Sequence, residues 1–156
     1  MKLRLVWVRS KSDAEYREAI ERYRQRIRHF FPIEVVEIPP EKGRQTKPDT
    51  AILHAESDRL LASIPPRGRV VVLDEQGEMV SSLRFATWLE RITVNDPYGV
   101  TFVLGGDLGL DAAVKARADK LLALSPMTLP HQLARVVLLE QIYRACTLMR
   151  NVPYHK

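Results

Sequence analysis

Short apolar runs alternate with amphipathic segments along the whole chain. Apolar runs that are bounded by turn residues are typical of strands buried in a parallel sheet. They predict strands over residues 3–8, 33–38, 70–73, 100–104 and 121–124. Apolar residues at three- and four-residue spacings, such as Tyr16, Ile20, Tyr23 and Ile27, indicate helices between them. The predicted helices cover residues 13–29, 49–62, 81–92, 111–119 and 131–149.

This alternation predicts an α/β fold with a mostly parallel sheet and helices on both faces. No internal repeat, low-complexity tract or linker interrupts the chain, so residues 1–156 are expected to form a single domain. Asp74 to Gly77 follow the third predicted strand and have the composition of a solvated turn. Paired carboxylates for acid–base chemistry, at Asp74 and Glu75, are the less favoured interpretation. The periodicity does not determine the order of the strands in the sheet.

The last predicted helix is apolar around most of its circumference. A helix of this kind must be buried on all sides. One side can cover the sheet and the other a second subunit, so we predict a homodimer. The alternative is a central helix within one monomer. The apolar residues are Leu133, Val136, Val137, Leu138, Leu139, Ile142, Tyr143, Ala145, Cys146, Leu148 and Met149.

Composition narrows the class of protein. The 156 residues are 46% hydrophobic and 28% charged, which is ordinary for one globular domain. The net charge of +5 favours an anionic partner, with nucleic acid as the first candidate. No apolar run reaches membrane-spanning length and the N-terminus does not resemble a signal peptide, so a cytoplasmic location without membrane contact is expected. Cys146 is the only cysteine, which excludes a disulfide framework and a cysteine-based zinc site, and no metal is expected.

Two loops follow predicted strands and are candidates for ligand binding. Glycines in Gly105-Gly106-x-x-Gly109 allow close approach of the backbone to a ligand, although their spacing fits neither a dinucleotide site nor a P-loop. A tight turn explains them equally well. Residues 124–130 contain two prolines and no glycine, so this loop is stiff and largely apolar. It could hold a flat heterocycle through its main-chain groups, or it could be shaped by packing alone.

The C-terminal tail combines an aromatic ring, an imidazole and a cation in Tyr154, His155 and Lys156. Disorder is the ordinary expectation for such a segment. Pro153 stiffens it, however, and the three side chains together offer a stacking ring, a titratable group and a positive charge. Arg144, in the preceding helix, is either a phosphate ligand or a surface residue.

These segments together resemble the RlmH family of small SPOUT-class ribosomal RNA methyltransferases. The resemblance covers the whole chain, including the opening Met1-Lys2-Leu3 and the strand that ends at Leu73. Asp107-Leu108 departs from the expected loop sequence, but the glycines are kept. The segments are Gly105-Gly106-x-x-Gly109, Leu124-Ser125-Pro126-Met127-Thr128-Leu129-Pro130-His131-Gln132, residues 135–145 and Asn151-x-Pro153-Tyr154-His155-Lys156.

The resemblance implies a C-terminal trefoil knot, an exception to the rule against knotted chains. It also implies S-adenosylmethionine as methyl donor and a homodimer that acts on 23S rRNA in the assembled ribosome. The reaction would be methylation of N3 of a pseudouridine. The implied donor-binding residues are Leu73, Gly105, Leu124, Ser125, Pro126, Met127, Thr128 and Leu129.

The resemblance also suggests roles for the tail. His155 would be the base that removes the N3 proton. Tyr154 would stack on the flipped base, and Arg144 and Lys156 would stabilise phosphate or developing negative charge. A non-enzymatic RNA-binding or ribosome-associated α/β protein is the alternative. It explains the net charge but not the stiff apolar loop.

Overall fold

Five parallel strands form one sheet in the computed structural model, which describes residues 1–155 apart from the side chains of residues 11–13. The order across the sheet is β2-β1-β4-β3-β5, and every neighbouring pair is parallel. This confirms the predicted α/β class and supplies the strand order that periodicity left open. The strands are β1 (Leu3–Val8), β2 (Ile33–Ile38), β3 (Arg69–Met79), β4 (Val100–Leu104) and β5 (Lys120–Ala123).

Helices cover both faces of the sheet, as predicted. Successive side chains of a strand point to opposite faces, so Leu3 and Leu5 join one core while Val6 and Val8 join the other. The first core contains residues of α1, α3 and α5, and the second contains residues of α2 and α4. The helices are α1 (Arg17–Arg28), α2 (Asp49–Ala62), α3 (Ser82–Asn95), α4 (Ala112–Ala116) and α5 (His131–Met149).

The prediction of a turn at Asp74 to Gly77 is wrong, because β3 continues through these residues to Met79. Leu73 and Glu78 both pair with Leu122 of β5, so the residues between them form a bulge within the strand. Gly77 makes this possible: a Cβ there would lie 2.6 Å from the Leu122 nitrogen. The bulge therefore depends on glycine at this position.

The first and fourth helices also differ from their predicted bounds. A 3₁₀ helix, Lys11–Tyr16, occupies the start of the first predicted helix, and α1 begins only at Arg17. Helix α4 is shorter than predicted, although Asp111 caps it by accepting from the Val114 N–H at 3.0 Å. Within the described part of the chain, no helix is long and apolar enough to cross a membrane.

Helix α5 is buried on its inner face only. Leu138, Ile142 and Cys146 lie in the core, whereas Leu133 and Val137 are partly exposed. Burial raises the pKa of the Cys146 thiol to about 12, which is consistent with a small core residue. The single chain therefore leaves one apolar side of α5 without complete cover, and the homodimer stays a prediction.

Candidate functional site

A cavity of about 630 Å³ lies at the carboxyl ends of β4 and β5 and beside the bulge in β3. Its volume is in the range of small-molecule sites, and strand ends are where open α/β sheets bind ligands. Parallel pairing brings three separate stretches of the chain together here. The lining residues are Leu73, Asp74, Glu75, Gln76, Leu104, Gly105, Gly106, Asp107, Leu108, Gly109, Leu110, Lys115, Leu122, Leu124, Ser125, Met127, Thr128, Leu129, Pro130, His131 and Ala134.

The loop of residues 105–109, called here the glycine loop, forms one wall of this cavity. It folds back on itself through a hydrogen bond from the Gly109 N–H to the Gly106 carbonyl, at 3.0 Å. A Cβ on Gly105 would lie only 2.5 Å from the Gly109 carbonyl oxygen. Residue 105 must therefore be glycine for the wall to keep this shape, which is a packing requirement and not only a conformational one.

The stiff loop between β5 and α5 forms the opposite wall. The Ser125 hydroxyl accepts from the Met127 N–H at 2.9 Å, and the Pro130 carbonyl accepts the Ala134 N–H at 2.9 Å as α5 begins. The loop is thus ordered by its own side chains and by the helix start. Pro126 is exposed and is not among the lining residues. The other residues with an expected donor-binding role do line the cavity: Leu73, Gly105, Leu124, Ser125, Met127, Thr128 and Leu129.

The cavity is acidic although the protein is basic. Among the residues that the structure describes, its lining includes the carboxylates Asp74, Glu75 and Asp107 but only one ammonium group, that of Lys115. The whole chain, in contrast, carries a net charge of +5. Such a lining favours a ligand that carries positive charge. The sequence does not predict this acidic lining, because the composition of Asp74 to Gly77 favours a solvated turn.

Polar contacts with basic side chains fix two of these carboxylates, Asp74 and Asp107, at the cavity. Lys115 lies 2.5 Å from Asp74, and this hydrogen-bonded pair lowers the pKa of Asp74 despite its burial. Asp107 lies between Arg44, at 2.6 Å, and the Nδ1 of His131, at 3.1 Å. Asp107 therefore links the β2–α2 loop to the start of α5 across the glycine loop.

The C-terminal tail is folded against α5. The Tyr154 hydroxyl donates to Glu140 at 3.2 Å, and the Arg144 guanidinium lies 4.8 Å over the Tyr154 ring. Arg144 also contacts the His155 Nδ1 at 3.2 Å. The three residues with an expected catalytic role thus lie together, while Lys156 lies outside the described residues. Their contacts define a tail cluster of Glu140, Arg144, Tyr154 and His155.

Glu140 holds the tail cluster in place. Its carboxylate accepts from Arg144 at 2.5 Å and 3.0 Å, and this pairing raises the pKa of Arg144. Burial, followed by hydrogen bonding with Tyr23, raises the pKa of Tyr154. Tyr154 is therefore a protonated phenol at neutral pH. Sequence reasoning did not single out Glu140, although its spacing of four residues from Arg144 on a helix was a usable signal.

The tail cluster does not border the cavity of its own chain. Helix α5 begins at the cavity wall with His131 and Ala134 and carries Arg144 near its other end. A rise of about 1.5 Å per residue puts Arg144 about 20 Å along the helix from His131. None of the described residues that line the cavity belongs to the tail. The two candidate halves of the site are therefore separate within one chain.

Comparisons with known proteins agree with this architecture. The chain matches the family described as "Predicted SPOUT methyltransferase" over residues 1–155. It is 41% identical to a "Ribosomal RNA large subunit methyltransferase H" of Geobacter sp. (strain M21), over 99% of both chains. A protein of the same name from Gemmatimonas aurantiaca is 39% identical over the full length of both chains. The chain belongs to the RlmH family of SPOUT methyltransferases.

A solved structure shows the same fold at low sequence identity. The probable methyltransferase from Bordetella pertussis Tohama I is 16% identical, with a TM-score of 0.60 over 92% of this chain and 95% of that one. Membership of a methyltransferase family implies a methyl donor. Among the residues that the structure describes, no group of three His, Cys, Asp or Glu side chains is placed to hold a metal ion.

The Asp74–Lys115 pair gives this RlmH-family protein a testable dependence of stability on pH. Because the folded-state pKa of Asp74 is lowered, the pair stabilises the protein fully above about pH 4, the ordinary aspartate value. This contribution is lost as the pH falls through the lower folded-state pKa. We expect the unfolding free energy of the unmutated protein to fall more steeply below about pH 4 than that of Asp74→Asn.

Urea unfolding across the acid range measures this difference. Glu75→Gln is the matched control, because it removes a carboxylate from the exposed neighbouring residue. Equal pH dependence in Asp74→Asn and the unmutated protein would contradict the expected contribution of the pair.

Proposed function

We propose that this protein uses S-adenosylmethionine to methylate N3 of a pseudouridine in 23S rRNA, acting on the assembled ribosome. Family membership supports methyl transfer, and the names of the relatives from Geobacter and Gemmatimonas support large-subunit rRNA as the substrate. The observation that carries the proposal is the acidic cavity at the strand ends of a basic protein. The acidic lining suits a cationic small molecule in the cavity, and the net positive charge of the chain suits a polyanionic partner.

The cavity fits the methyl donor by chemistry and by size. S-adenosylmethionine supplies an electrophilic methyl group on a positively charged sulfonium. Asp74, Glu75 and Asp107 provide negative charge at the lining. The apolar side chains of Leu73 and Leu124, with the exposed backbone of the two loops, are suited to a flat heterocycle. Pro126 would act by stiffening its loop and not by contact.

The tail cluster would handle the RNA base. N3 must lose its proton before it becomes a good nucleophile, and His155 is exposed and suited to accept that proton. Tyr154 would remain protonated and would stack or donate a hydrogen bond, since its pKa is raised. Arg144 would stabilise the developing negative charge of the imide. Lys156 is proposed as a further cation at the same place.

A second copy of the chain is needed if the tail is to act at a cavity. The tail cluster lies far along α5 from its own cavity, so we infer that a homodimer brings it to the cavity of the other chain. Exposed large apolar side chains support such an interface: Met127, which lines the cavity, is 76% exposed, and Met79 and Leu83 are 58% and 55% exposed. The half-covered outer side of α5 points to the same conclusion. The trefoil knot stays a prediction from the family.

The alternative is a ribosome-associated protein without catalytic activity. It would explain the net positive charge of the chain. It would not explain why the carboxylates of Asp74, Glu75 and Asp107 converge on a cavity that is large enough for a small molecule.

Donor binding and rRNA modification test the proposed function together. Calorimetry should detect binding of S-adenosylmethionine to the unmutated protein and none to Gly105→Ala, because the added Cβ collides with the Gly109 carbonyl. Val94→Ala, at an exposed position on α3, is the control and should bind normally. Mass spectrometry of 23S rRNA should show the methylated pseudouridine only in cells that contain the protein. Absence of donor binding, or unchanged rRNA, would contradict the proposal.

Removal of the tail should separate catalysis from donor binding. Deleting residues 154–156 removes the proposed base and stacking ring, and it removes none of the described residues that line the cavity. We expect methylation to fall by at least about 100-fold, the usual minimum for loss of a general base. The affinity for S-adenosylmethionine should stay unchanged by calorimetry. Full methylation by the truncated protein would refute a catalytic tail.

A further inference from the structure

Helix α2 supports the glycine loop from behind with two buried polar residues. Glu56 is 2% exposed, and the neighbouring Ser57 is fully buried. The Ser57 hydroxyl accepts from the Asp111 N–H at 3.3 Å, just beyond the glycine loop. The Oε1 of Glu56 accepts from the Glu41 N–H at 3.0 Å, in the β2–α2 loop of residues 39–48. A buried carboxylate of α2 thus lies close to both the β2–α2 loop and the glycine loop.

The second oxygen of Glu56 is the unusual feature. The Oε2 is buried, and no hydrogen-bond donor among the described residues reaches it. It lies 3.3 Å from the position that a Cβ on Gly106 would occupy. Buried acceptors without a partner are rare and costly in folded proteins. This oxygen is therefore placed to gain a partner when the glycine loop moves slightly.

We propose that Glu56 is a positioning residue of the donor site. Its Oε1 holds the β2–α2 loop, and its Oε2 accepts a backbone N–H of the glycine loop when the methyl donor occupies the cavity. The glutamate does not touch the donor. A carboxylate is required because both of its oxygens accept hydrogen bonds, whereas an amide offers one acceptor and one donor.

A second contact ties the same two loops together. Arg44 of the β2–α2 loop lies 2.6 Å from Asp107 of the glycine loop. Unlike this exposed ion pair, Glu56 is buried, so water does not compete for its hydrogen bonds. The hydrogen bond that Oε2 gains on donor binding strengthens that binding, because it stabilises the conformation of the glycine loop in the occupied cavity.

The matched pair of variants is Glu56→Gln and Asp58→Asn. Both replace one carboxylate of α2 by an amide. The Asp58 side chain, however, is 61% exposed, and in the described structure it accepts no backbone hydrogen bond from either loop. We expect the Kd for S-adenosylmethionine to rise about tenfold in Glu56→Gln, the effect of losing one such hydrogen bond, and to stay unchanged in Asp58→Asn. Thermal unfolding shows whether both variants are folded.

A second readout distinguishes this role from a merely structural one. Hydrogen exchange of the backbone amides of residues 105–107 should slow when the donor binds to the unmutated protein and to Asp58→Asn, but not to Glu56→Gln. If Glu56→Gln does not fold, the NMR chemical shift of the Glu56 carboxyl carbon in the unmutated protein tests the role instead. This resonance should shift when the donor is added.

The inference rests on the proposed donor site, and the two can fail separately. If the unmutated protein does not bind S-adenosylmethionine, the proposed function fails. If it binds, but Glu56→Gln binds with the same affinity, the role of Glu56 is refuted. Unchanged exchange of the loop amides, or an unchanged Glu56 resonance, on donor binding refutes it equally.

Discussion

Parallel pairing of β3, β4 and β5 is the constraint on which the candidate site depends. It places the carboxyl ends of three strands at one edge of the sheet, although the strands are far apart in sequence. The loops that follow β4 and β5 become opposite walls of one cavity. The bulge in β3 adds Asp74 and Glu75 to the lining, and it exists because Gly77 allows the backbone of β5 to approach closely.

The net charge of the chain and the charge of the cavity lining favour ligands of opposite sign. The chain as a whole is basic, which favours association with the phosphate backbone of RNA. The cavity lining is acidic, which favours a cationic small molecule and disfavours phosphate. The proposed nucleic-acid substrate and the proposed methyl donor therefore do not compete for one site. Lys115 and Arg44 hold the carboxylates of Asp74 and Asp107 in place at the cavity.

Much of the fold could be predicted because its signals are local. The strands at residues 3–8, 33–38 and 100–104 and the helices at residues 49–62 and 131–149 have the predicted bounds, since prolines, glycines or polar turn residues flank segments rich in apolar residues. Strand order could not be predicted, because it depends on pairing between distant segments. The bulge was also missed, because Asp74 to Gly77 have turn composition and only the contact of Gly77 with Leu122 reveals their conformation.

The candidate site shows the same division. The glycines and prolines of the two loops predict a ligand site from local sequence. The Asp74–Lys115 pair and the buried Glu56, in contrast, depend on contacts between distant elements. Such contacts leave no pattern in a single sequence. Glu140 is an intermediate case, because its pairing with Arg144 follows helical spacing but its bond to Tyr154 depends on how the tail folds back.

Helix α5 separates the cavity from the tail cluster, and this separation is the reason for proposing an active site shared between two chains. The most direct test mixes two inactive chains with different tags, one carrying Gly105→Ala and one lacking residues 154–156. Methyl transfer to ribosomes by the purified mixed dimer is then measured. A site built from the cavity of one chain and the tail of the other predicts that activity returns, because the mixed dimer contains one intact cavity and one intact tail. Mixed dimers that form but remain inactive would contradict a shared site.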